Sequence, residues 1–100
     1  MKPLTLDKAV ELYKILGDHV PEISEDETAL QFIGKIVNNI RQSKQHENYI
    51  DAVMLMSDKE WSEIKQMESE SVLDLFIAGL TENKIVQLKS FFDAVGFNHA

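Results

Sequence analysis

The chain has 100 residues, a formal net charge of −7, a hydrophobic share of 44% and no cysteine. That length and hydrophobic content suit one globular core, while the missing cysteines exclude disulfides, thiolate metal sites and cysteine nucleophiles. Residues 21–34 hold four acids and no base, and residues 47–100 hold ten acids against four bases, so neither nucleic acid nor an anionic membrane is expected as a partner.

The opening Met1-Lys2-Pro3-Leu4 lacks the long apolar segment of a signal peptide, and no apolar run approaches the roughly 20 residues that cross a bilayer. A cytoplasmic location is expected. Thr5 caps the first predicted helix, whose stripe is Leu6, Ala9, Val10, Tyr13 and Leu16 and whose stop is Gly17. Ile15 faces away from that stripe. Asp18-His19-Val20-Pro21 reads as a connecting loop, because proline disfavours helical geometry in the residue before it.

Ser24-Glu25-Asp26-Glu27 has the pattern of a capping box and predicts the start of a second helix. Its core face is Leu30, Ile33, Ile36, Val37 and Ile40, with Ala29 and Phe32 on the flanks and Gly34 on the exposed side. No residue from Arg41 to Asn48 is strongly apolar, so the helical phase is lost and a break is expected near Ser43. With no Gly or Pro at this junction, a kinked continuous helix is the alternative. A third helix takes Tyr49, Ile50, Val53 and Met56 inward, and the run Val53-Met54-Leu55-Met56 reads equally as core or as adaptable interface.

Ser57-Asp58-Lys59-Glu60 repeats the box pattern, with Met56 and Trp61 at the staple positions. A short fourth helix follows, with Trp61 and Ile64 inward. Val72 to Phe97 then reads as a helical hairpin around which the rest is organised. Its first arm is apolar nearly all round, through Val72, Leu73, Leu75, Phe76 and Ile77, and is expected to be capped by Ser69 and closed by Gly79 in the left-handed conformation. Thr81 caps the second arm, whose stripe is Ile85, Leu88, Phe91, Phe92 and Val95, with Lys89 and Asp93 off it and Gly96 as its stop. Val86 points away from that stripe. The fold class expected is therefore all-α, a compact bundle of about six short helices ending in a helical hairpin, with residues 1–100 as a single domain.

No catalytic constellation emerges. His19, His46 and His99 are far apart, lack a second ligand at helical spacing, and read as exposed loop or terminal residues. The acids of Glu25-Asp26-Glu27 and Glu68-Ser69-Glu70 suit helix starts, and no segment has the ligand spacing of an EF-hand. The basic cluster Lys35, Arg41, Lys44 and His46 complements the negative end of the second helix, with a contact site for an acidic partner as the alternative. No catalytic, metal or cofactor site is expected, and the chain is expected not to be an enzyme. The apolar residues outside the predicted core faces, Ile15 and Val86, and the terminal Phe97 are the candidate partner contacts. Self-association is plausible for a domain this small with several such residues.

The chain resembles the tail assembly chaperones of long-tailed bacteriophages. The resemblance is one of size, acidity, helical content and order of elements: an early Leu-rich helix, then AVMLMSDKEWSEIKQM, then VLDLFIAGLTENKIVQLKSFFDAVGF. It implies a non-enzymatic protein of the host cytoplasm that binds the tape-measure protein, shields its apolar segments and helps recruit tail-tube subunits before leaving the finished tail. It also implies self-assembly into spirals, and a short form such as this chain beside a frameshifted longer one. The family supplies no catalytic residues to carry over. The rival readings are a small monomeric adaptor or regulatory domain that binds one partner helix, and a metal or enzyme domain that would need His19 and His46 to converge with a carboxylate.

Overall fold

In a computed structural model, which describes residues 3–44 and 46–96, the chain is all-helical. The order is α1 (Leu6–Leu16), a 3-10 turn (Gly17–His19), α2 (Ala29–Ser43), α3 (His46–Ser57), α4 (Trp61–Ile64), α5 (Ser69–Glu82) and α6 (Ile85–Ala94). Among the described residues there is no strand. The expected class and helix order are found.

Packing makes α3 as central as the hairpin. It lies against both α1 and α5, while α2 packs on α3, α5 and α6. The radius of gyration is 12.9 Å, close to the about 13 Å of a compact chain of this length. One core joins Leu12 and Tyr13 of α1, Phe32 and Ile36 of α2, Val53 of α3 and Phe76 and Leu80 of α5.

Several faces are rotated from the expected ones. On α1 the buried residues are Ala9, Leu12, Tyr13 and Leu16, whereas Leu6 is exposed. Both sets fit a 3.6-residue period, and α1 turns so that Leu12 meets the core and the Tyr13 ring lies 4.8 Å from that of Phe92. Burying Leu12 is worth roughly 2 kcal/mol over leaving it in water. On α2, Leu30 is 68% exposed and Phe32, expected on a flank, is fully buried. Trp61, expected inward, is 49% exposed, while Ile64 is buried as expected.

The caps differ more than the helices do. Thr5 holds the cap position of α1, but its hydroxyl donates to Asp7 Oδ1 at 2.7 Å instead of accepting an amide. The capping box of α2 is Thr28 and Gln31, not Ser24 and Glu27: Gln31 N donates to Thr28 Oγ1 at 3.1 Å and Thr28 N to Gln31 Oε1 at 2.9 Å. At Ser24 the amide donates to Glu27 Oε1 at 3.3 Å, while Glu27 N goes to the Ser24 carbonyl at 3.1 Å and the serine hydroxyl accepts from Lys35 Nζ at 3.2 Å. Helix α2 ends as expected at Ser43, with Lys44 in the left-handed region at φ 60°. Ser57 does not cap α4 but donates back to Val53 O at 2.6 Å, and Glu60 takes the cap position.

The hairpin turn lies four residues later than expected. Gly79 is inside α5, not at its end, and Thr81 bonds back to Ile77 O at 2.8 Å as a mid-helix threonine does. Asn83 and Lys84 make the connection, with Lys84 left-handed at φ 50°. Asn83 also receives Leu4 N at 2.8 Å and donates to Gly79 O at 2.8 Å, tying the start of the chain to the end of α5. Gly17 at φ 50° and Gly96 at φ 75° stop α1 and α6 as expected, in a conformation that favours glycine.

Candidate functional site

Three helices leave a groove between them. Val37 and Ile40 of α2, Tyr49 of α3 and Leu73 of α5 form its floor, buried or half-buried, and Arg41, His46, Ser69 and Glu70 stand exposed around it. Its volume is about 300 Å³. The Tyr49 ring is held from behind by Phe76, at 5.0 Å between centroids. Its hydroxyl is pushed above the ordinary tyrosine range by burial and, second, by the Asp74 carboxylate.

An apolar floor with both signs of charge at the edge can hold the apolar face of a helix. The basic cluster is split by the fold. Lys35 pairs with Glu27, whose carboxyl is lowered by that hydrogen bond above all, whereas Arg41 and His46 line the groove. Part of a charge cluster read as a helix-end feature thus borders the site.

The candidate contact residues are dispersed. Ile15 and Val86 are both half-buried and packed on the core, and neither lines this groove. Ile15 lies instead in a depression between α1 and α3. Phe97 and His99 fall outside the described residues. His19, expected in an exposed loop, is buried: its carbonyl accepts from Asn39 Nδ2 at 2.9 Å and its Nε2 lies 3.4 Å from Asn48 Nδ2, joining the 3-10 turn to α2 and α3. Among the described residues no group of three or more His, Asp or Glu side chains is placed to hold a metal ion. None of their helices is long and apolar enough to cross a membrane.

Sequence periodicity also misplaces Lys89, which is only 4% exposed. Ile85, Lys89 and Phe92 are the buried positions of α6. The lysine stem fills that face while its ammonium bonds Asp93 at 3.0 Å and lies 3.8 Å from Glu22. Burial pulls the Lys89 pKa down, but the Asp93 hydrogen bond, with Tyr13 and Glu22, outweighs it and the pKa is raised. Tyr13 is raised by burial, against the pull of Lys89.

Fold and groove together define a small all-α domain with an apolar-floored groove between three of its helices. Compared with known proteins, the chain matches no family model, no curated protein and no solved structure.

Proposed function

We propose that the chain is a non-enzymatic tail assembly chaperone of a long-tailed bacteriophage, holding an amphipathic helical segment of the tape-measure protein while tail-tube subunits are recruited. The observation that supports this is the groove between α2, α3 and α5, whose floor of Val37, Ile40, Tyr49 and Leu73 suits the apolar stripe of a helix. The tape-measure client comes from the resemblance in size, acidity and order of helices. The excess of acid, net −7, keeps the remaining surface soluble beside an apolar client.

Co-purification with a helical tape-measure fragment tests it. Wild type should bind, Leu73→Asp should lose binding while keeping its circular dichroism spectrum, and Arg41→Glu at the exposed edge should alter binding without touching the core. Light scattering across concentrations should reveal self-association. A strict monomer that ignores the fragment overturns the reading in favour of a single-helix adaptor, as does a folded Leu73→Asp that binds as well as wild type.

A further inference from the structure

We propose that a second channel, between α1 and α3, docks a basic amphipathic helix of a protein partner. Ile15, Met54 and Leu55 make its floor, each half-buried against the core, in a depression of about 440 Å³. A neighbouring depression of about 370 Å³ shares Lys8, Leu55 and Asp58 with it and extends to Pro3 and Leu4. The pair therefore spans the 11 residues of α1, about 16 Å at 1.5 Å per residue, which is the length of three turns of a bound helix.

Charge selects the occupant. Glu11, Asp51, Asp58 and Glu60 surround the floor against Lys8 and Lys59, and Lys59 is itself 3.8 Å from Glu63. The excess of acid on an already acidic chain attracts a helix whose apolar stripe is flanked by lysine or arginine and repels an acidic one. The α2–α3–α5 groove has Arg41, His46 and Glu70 at its edge and carries no such single-sign preference. Helix α3 is the wall common to both, with Tyr49 facing one and Met54 and Leu55 the other. This channel stands independently of the tail-chaperone reading.

The test uses two fluorescein-labelled, helix-stapled peptides of about 11 residues, with identical leucine stripes flanked by lysines in one and glutamates in the other. Fluorescence anisotropy with the full chain should give the lysine peptide at least about tenfold tighter binding at low salt, shrinking at high salt as the edge charges are screened. The exposed double variant Glu11→Lys/Asp51→Lys should remove the preference, and Leu73→Asp in the other groove should leave it intact. Equal affinity for the two peptides, or no binding of either, overturns the proposal without any variant. So does a preference that survives the double variant or disappears in a folded Leu73→Asp.

Discussion

Replacing Gly79 with alanine sets two effects against each other. Inside a helix, Gly→Ala gains about 1 kcal/mol from backbone entropy and propensity. At Gly79, however, the new Cβ would stand 2.7 Å from Met56 Sδ, 2.8 Å from its Cε and 3.0 Å from its Cβ. Carbon atoms in good contact sit about 3.5–4.0 Å apart. The thioether end can swing, but Met56 is buried in the core and its Cβ is fixed by the backbone of α3. Helices α3 and α5 must therefore separate, and overpacking of this kind costs about 1–3 kcal/mol.

The balance is a net loss of about 1 kcal/mol, or roughly 4–8 °C in melting temperature for a domain of this size. Urea titration followed by circular dichroism measures it. Gly34 is the control: it lies exposed in α2 with nothing within 4 Å of an added Cβ, so Gly34→Ala should stabilise by up to about 1 kcal/mol. In a Met56→Ala background the Sδ and Cε contacts vanish and the alanine methyl refills part of the cavity. The Cβ contact at 3.0 Å stays in that background, so Gly79→Ala should cost less than in wild type yet fall short of the Gly34→Ala gain, a coupling on the order of 1 kcal/mol. A Gly79→Ala protein stabilised as much as Gly34→Ala would refute the close approach of α3 and α5.

The other predictions concern pH. Lys89 and Tyr13 have pKa values raised from 10.5 and 10.0, so the folded chain holds protons that the unfolded chain releases. Their contribution is fully present below about pH 10 and is lost as pH rises through the folded values. Lys89→Met should flatten the alkaline limb of a curve of melting temperature against pH, and an unchanged limb would count against the buried pair. Glu27 is lowered from 4.5 by Lys35, so its contribution is present above about pH 4.5 and is lost as pH falls through the folded value. Glu27→Gln should lower the melting temperature at pH 7 and converge with wild type as pH falls through the folded value; a constant offset would show that the ion pair is not its cause.

What was legible in the sequence was local. The helix order, the break at Ser43 and the stops at Gly17 and Gly96 follow from periodicity, its loss, and backbone conformations that favour glycine. Caps were less legible because several residues compete for each one. Ser24 and Thr28 both head a box pattern four residues apart, and the choice falls to Thr28 while Lys35 takes the Ser24 hydroxyl. Gly79 carries the same sequence signal whether it ends a helix or admits a neighbour. Only the position of Met56 distinguishes the two.

The grooves were illegible for a related reason. Each is assembled from helices distant in sequence, and no single stripe announces it. The nearest signal was the run Val53-Met54-Leu55-Met56, which reads as core or as adaptable surface. The structure divides it: Val53 and Met56 are buried, while Met54 and Leu55 are half-buried and line the channel beside α1. A helix packed against α1, α2 and α5 at once needs apolar residues around most of its circumference. The positions where neighbouring helices diverge then become groove floors without any change in residue type. Off-stripe apolar residues such as Ile15 are thus explained by a helix having more than one neighbour, and they become candidate contacts only where a depression opens beside them.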